Sequence, residues 1–227
     1  MNFIFNIDKA LLLWFNGSDS LFLDGMAMTA TAPMTWLPLY IVLFYIVIKN
    51  NDNMAQIGLV VGGSLVCLLF ADGLADGIVK PWVARPRPSH EPALMMVVDL
   101  VNNHRDTPYG FFSAHAANTM SITVFMSLMV RNPWLTTTLV SWSLLNCWTR
   151  LYLGLHYPSD ILIGLLWGAT VGCGVYWTYL WCCRQISLKT TFISKRYTSS
   201  GYSLTDVAVT ILTFLFCCVY VMIKACF

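Results

Sequence analysis

The chain has 227 residues, 57% of them hydrophobic and only 11% charged, with a mean hydropathy of +0.65. Soluble domains carry about 25% charged residues, so the composition places this chain in a membrane as one compact domain spanning 1–227. A net charge of only +2, with no Lys/Arg-rich run interleaved with aromatics, excludes a nucleic-acid binder.

Taken in chain order, residues 1–28 read as an interfacial amphipathic segment. Over 3–28, Asp8, Lys9, Asn16, Asp19 and Asp24 interrupt the apolar residues too often for a crossing of about 20 residues. One or two short helices at the interface, with a turn at Asn16-Gly17, fit better. The segment lacks a basic start and a small-residue cleavage site, so it does not read as a cleavable signal. Six transmembrane helices are expected after it: 31–48, 57–79, 114–130, 134–152, 161–182 and 204–223. The fold class is thus all-α, a polytopic membrane protein. Residues 80–112 form the one long polar connection and hold five prolines, at 81, 86, 88, 92 and 108. Loops of that length in compact proteins are usually functional or disordered. No internal repeat is evident, which weakens a transporter reading. The eight cysteines (67, 147, 173, 182, 183, 217, 218 and 226) all lie in or beside apolar runs with no CxxC, so they read as small hydrophobes rather than disulfides or zinc ligands.

Lys49, Arg131, Arg184, Lys189, Lys195 and Arg196, against Asp52, gather on one side of this arrangement, which should be cytoplasmic. Both termini, the 80–112 loop and the 153–160 turn then share the opposite side. Three polar clusters fall there. Lys80 and Arg87, with Arg87 stiffened between Pro86 and Pro88, supply permanent positive charge suited to phosphate oxygens. Ser113 is a natural N-cap, and His115 lies in the first helical turn beyond it, where free backbone N–H groups favour an anion. Arg150, His156 and Asp160 form the third cluster. A carboxylate accepting the Nδ1 proton of His156 would leave Nε2 free to attack phosphorus. Singly, each cluster has a plain structural explanation: snorkelling cations, a helix cap, a surface ion pair. Together they share a face and a chemistry.

The composite pattern, Lys80-x6-Arg87-Pro88, Phe112-Ser113-Ala114-His115 and Thr149-Arg150-x5-His156-x3-Asp160, resembles the signature of the type 2 phosphatidic acid phosphatase superfamily, which includes bacterial membrane lipid phosphatases. The resemblance covers 80–160. It implies that Lys80, Arg87 and Arg150 bind phosphoryl oxygens together with Ser113, Ala114 and nearby amides. It implies further that His156 forms a phosphohistidine, that Asp160 orients it, and that His115 protonates the leaving oxygen and then activates water, without metal or cofactor. Two departures stand out: Ala114 replaces glycine, compatible with a helical first turn, and Thr149 replaces a frequent serine. Asp76 is expected to hold Lys80, and Asn118, one turn below His115, to hydrogen-bond within the site. Intramembrane Asp72 is costly and reads as paired or functional.

The expected function is metal-independent removal of phosphate from a lipid headgroup at the outer face of the inner membrane. Lipid A or undecaprenyl diphosphate is favoured by analogy, with phosphatidic acid and phosphatidylglycerol phosphate also in range. The expected partners are the lipid phosphate and the bilayer, with no obligate protein partner. A phosphotransferase with the same site, or a small lipid flippase using Asp72 and Asp76, are the alternatives.

Overall fold

The computed structural model describes residues 2–51, 53–186 and 196–227, with the backbone alone for 2–4 and 186. Eight helices carry the described chain: α1 (Asn2–Phe15), α2 (Leu21–Thr31), α3 (Leu37–Lys49), α4 (Met54–Val83), α5 (Ala114–Val130), α6 (Pro133–Tyr152), α7 (Pro158–Ile186) and α8 (Leu204–Lys224). Several starts are set by short polar side chains. Ser20, Asn53, Ser113 and Asn132 each accept a backbone N–H from the first turn of α2, α4, α5 and α6. The chain is an all-α membrane protein, as the composition requires.

Two expected spans differ in form. The rod expected over 31–48 is broken. Pro33 forces Ala32 into extended backbone (φ −74°, ψ 125°), and the chain bends by 71° between Leu21–Thr31 and Pro33–Lys49. The second span does not stop at 79. It continues to Val83 and ends where Ala84 turns left-handed (φ 48°), so Lys80 rides on a helix and the connection begins at 84. Ahead of Pro81 the helix widens into π turns over Leu69–Gly73 and Ala75–Val79. Pro81 has no N–H for the preceding turn and crowds its carbonyls, which the wider winding accommodates. Among the described residues α4, α7 and α8 are long and apolar enough to cross a membrane, and the bent Leu21–Lys49 pair qualifies if taken as one span. The 17 residues of α5 rise about 25 Å, and α6 is rich in Thr, Ser and Asn. Rods alternating between two ends are compatible with six crossings.

Helices α5 and α7 approach very closely. Gly164, Gly168 and Gly172 form one face of α7. An added Cβ would lie 2.6 Å from the Ser113 carbonyl, 2.3 Å from that of Ala117 and 2.6 Å from that of Ser121. Small residues spaced by four let membrane helices meet backbone to backbone. The contact presses the two N-termini together, and the Ser113 amide donates to the Asp160 carbonyl at 3.1 Å. Below, Trp36, Phe125, Leu135, Leu139 and Trp142 fill the bundle. At the far end Lys49 and Asn50 both bind the buried Asp206 carboxylate, at 2.7 and 3.1 Å, fastening α3 to α8.

The N-terminal segment is more than an interfacial float. α1 buries Leu12 against Leu94, Val98 and Tyr157, and it buries Asp8. The Asn16 side chain bonds both the amide (2.8 Å) and carbonyl (3.0 Å) of Asp99 and reaches the Tyr152 carbonyl at 2.8 Å. The segment and the 84–112 connection therefore form one cap over the end of the bundle that carries the three clusters. Three charges in the sidedness count, Asp52, Lys189 and Lys195, lie outside the described residues.

Candidate active site

The 84–112 connection doubles back on itself. Arg87 donates its amide to the Pro108 carbonyl at 2.9 Å, and the Gly110 amide reaches the Arg85 carbonyl at 3.0 Å. This fold delivers the Arg87 side chain inward, where it is 1% exposed. Its Nε donates to the Thr107 carbonyl (2.6 Å) and Nη1 to the Leu155 carbonyl (3.0 Å). Nη2 meets Thr107 Oγ1 at 3.3 Å and the Asp106 carboxylate at 3.1 Å. Nη1 also lies 2.9 Å from His156 Nε2. Arginine stays protonated and has only donors, so Nε2 accepts and the imidazole proton sits on Nδ1. Nδ1 in turn faces Asp160 Oδ2 at 3.6 Å, longer than a hydrogen bond. Oδ2 accepts the Tyr157 amide at 3.1 Å. Gly110 covers this gap. A Cβ there would stand 3.0 Å from Arg87 Cγ and 3.6 Å from His156 Nδ1.

His156 belongs to the tight α6–α7 turn, made possible by Gly154 at φ +66°. It is buried, and burial, then the charges of Arg87, Arg150 and Lys80, hold its pKa well below the ordinary 6.5. The imidazole is therefore neutral at physiological pH, the form with a lone pair to offer. Burial likewise lowers the pKa of Arg87, opposed by Asp106, Asp160 and Asp76. Partial burial pushes the Asp106 carboxyl up, but Arg87, the Thr107 amide, Arg150 and His156 outweigh it and hold it below the usual range.

Arg150 differs from Arg87. It is 4% exposed, its side chain makes no hydrogen bond or ion pair among the described residues, and its buried Nε has no partner. A buried, unpaired guanidinium is costly by several kcal/mol, so the pocket calls for an anion. Lys80 is buried and pairs with Asp76 one turn back on α4. His115, in the first turn of α5, has a side chain without a hydrogen bond among the described residues. It lies within electrostatic reach of Arg150, His156, Asp106 and Lys80. Ser113 Oγ accepts the Ala116 amide at 3.4 Å, and Ala114 is buried beside it, at a helix terminus whose first N–H groups have no intrahelical acceptor.

The three clusters thus come together at one end of the bundle. One expected contact falls elsewhere, and the Thr149 hydroxyl is engaged outside the pocket. Asn118 turns to α4 and donates to Asp72 Oδ1 at 3.2 Å, because the π winding of α4 brings Asp72 to face it. The Thr149 hydroxyl is taken up by the Asn146 carbonyl (2.7 Å) and by Thr31 of α2 (3.3 Å), away from the anion pocket. Sequence reasoning overlooked Asp106, Thr107 and, above all, Arg85, which donates to Asp160 Oδ1 at 2.7 Å. The Arg85-Pro86-Arg87-Pro88 alternation was the available signal, since an extended run can send both arginines inward. The loop partners carried no comparable mark.

A family model described as the PAP2 superfamily matches residues 57–184. Among curated proteins, lipid A 4'-phosphatase of Bacteroides thetaiotaomicron is 38% identical over 173 residues, 76% of each chain. Lipid A 4'-phosphatase of Porphyromonas gingivalis is 35% identical over 182 residues, 80% of this chain and 76% of that one. The crystal structure of LpxE from Aquifex aeolicus shares the fold, with a TM-score of 0.54 at 20% identity over 74% of this chain and 93% of that one. With the matched model spanning more than half of its length and holding all three clusters, the chain belongs to the PAP2 superfamily, as one of its bacterial membrane lipid phosphatases.

Proposed function

We propose that this protein hydrolyses a phosphate monoester on lipid A, at the periplasmic face of the inner membrane, through a phosphohistidine on His156. The observation that carries the reading is the pairing of a neutral, buried His156 with a bare Arg150 guanidinium in one pocket. The lipid A preference rests on the two relatives at 38% and 35% identity, each named for that activity. The periplasmic assignment rests on the Lys/Arg distribution.

The dianionic phosphoryl group enters between Arg150, Lys80 and the amides at Ser113–His115. Arg87 Nη1 turns from His156 Nε2 to a phosphoryl oxygen, which frees the lone pair. Nε2 attacks phosphorus in line as the bond to the sugar oxygen breaks, and His115, which takes up a proton once the phosphate dianion sits beside it, gives that proton to the oxygen. Asp160 stabilises the imidazolium character that develops on His156, so the Nδ1–Oδ2 gap closes as charge appears. His115, now neutral, takes a proton from water. The hydroxyl attacks phosphorus, the N–P bond breaks, and inorganic phosphate leaves. The arginines and the lysine supply positive charge fixed before the reaction begins.

The test is rapid quench of the purified enzyme with lipid A labelled on a phosphate. Label should appear on protein in acid-labile, base-stable form and be absent in His156→Ala. A panel with undecaprenyl diphosphate, phosphatidic acid and phosphatidylglycerol phosphate should rank lipid A first by kcat/KM. Turnover by His156→Ala would reject the mechanism, and a different leading substrate would reject the lipid assignment alone.

A further inference from the structure

The strongest feature outside the expected machinery is a second arginine behind the nucleophile. Arg85 is half-buried, and its guanidinium divides between two buried carboxylates far apart in the sequence, Asp8 and Asp160. Nη1 donates to Asp160 Oδ1 and to Ser159 Oγ, both at 2.7 Å. Nη2 donates to Asp8 Oδ2 at 2.7 Å. The Tyr157 ring lies under it, with Cζ 4.1 Å from the ring centroid. Asp8 in turn accepts the Ser159 amide at 2.9 Å and its hydroxyl through a short contact. The chain of contacts runs from α1 through Asp8, Arg85 and Asp160 to His156.

Asp160 is 0% exposed. One of its oxygens takes the Tyr157 amide and faces His156, while the other has Arg85 as its charged partner. A buried carboxylate without that partner either takes up a proton or rotates towards another donor. In both cases Oδ2 ceases to be the fixed negative end that His156 Nδ1 faces.

We propose that Arg85, clamped by Asp8 of the N-terminal helix, is a positioning residue for the reaction: it holds the Asp160 carboxylate charged and in the orientation that serves His156. This rests on the phosphohistidine reading given above. Arg85 touches neither substrate nor phosphorus. α1, which composition marks as an interfacial segment, becomes a working part of the site. The rival is a simple staple, in which Arg85 and Asp8 only fasten α1 to α7. A staple changes how much protein is folded. A positioning residue changes the turnover of each folded molecule.

The experiment compares purified full-length wild type, Arg85→Ala, Arg85→Lys, Asp8→Asn and His156→Ala on lipid A in detergent, with the folded fraction counted from the thermal transition. Arg85→Ala should lose about 10- to 100-fold in kcat with KM within about threefold, the range usual for supports one contact behind the chemistry. Free guanidinium should restore part of the lost kcat by refilling the slot. Arg85→Lys, which can satisfy one carboxylate at a time, should fall between, and Asp8→Asn should lose less than Arg85→Ala. If Arg85→Ala does not fold, the Lys and Asn variants read the same quantity. Kcat per folded molecule near wild type in these variants, beside a dead His156→Ala, overturns this inference alone. Turnover surviving in His156→Ala overturns the phosphohistidine reading and this inference with it.

Discussion

The two sides of the pocket are built on opposite plans. On the side made by the 84–112 connection and the start of α7, the charges nearest His156 are answered. Arg87 has five protein contacts, and Asp160 has Arg85 and the Tyr157 amide. On the side made by the end of α4, the start of α5 and the end of α6, polar side chains stand open. Those of Arg150 and His115 make no hydrogen bond among the described residues, the buried Arg150 Nε included, and Lys80 holds an Asp76 that is 55% exposed. Under the proposed mechanism the braced side fixes the nucleophile, and the open side is completed by the phosphate of the substrate. A site that satisfied both sides in advance would have nothing left to offer a ligand.

That contrast can be broken experimentally, beginning with the largest effect. His156→Ala should lower kcat by at least about 10⁴-fold in a phosphate-release assay, since a lost nucleophile leaves only binding and electrostatics. The two arginines should separate next. Arg87→Met and Arg150→Met should each cost about 10²- to 10³-fold in kcat/KM, yet their thermal transitions should move in opposite directions. Arg87→Met abandons the Asp106 carboxylate and two buried carbonyls and should melt several degrees lower. Arg150→Met removes an unpaired buried charge and should melt higher. Equal shifts would erase the distinction between the sides. Asp106→Asn removes the carboxylate that shares Arg87 with the incoming anion, so inhibition by vanadate or inorganic phosphate should tighten by about three- to tenfold.

The smallest effect is in stability against pH. The folded pKa of His156 is depressed by burial and by the neighbouring cations, while the unfolded value is near 6.5. Above about pH 6.5 neither state binds the proton. Below it the unfolded chain does, so stability falls as pH drops from there towards the folded pKa. His156→Gln should flatten that slope in a series of thermal melts, and an unchanged slope would assign the effect to other groups.

Much of this site could be read from residues alone, because its chemistry uses side chains with few other uses at those spacings. Lys80, Arg87, Arg150, the two histidines and Asp160 announce a phosphate site. The N-cap at Ser113 and the Lys80–Asp76 pair follow from local rules, and both are present. What was hidden depends on approach in space. Asp8 sits 77 residues from Arg85 and 151 from Ser159, and no local pattern marks that meeting. The bend at Ala32-Pro33 was legible in principle, yet apolar composition over 31–48 outweighed its two prolines, Pro33 and Pro38. The π winding of α4, which turns Asn118 to Asp72, has no sequence mark beyond Pro81 downstream.

The glycine ladder on α7 has a practical consequence. The distance between His115 and His156, the proton donor and nucleophile of the proposed mechanism, is governed by main chain lying on main chain, through Gly164, Gly168 and the Ser113–Asp160 bond, rather than by the loop above. If the proposed function holds, headgroup choice should be open to retuning through residues of the connection that stay clear of Arg85, Arg87 and their partners, while the two imidazoles keep their spacing. Widening the ladder with a single alanine would do the reverse, leaving recognition in place while the catalytic pair drifts apart.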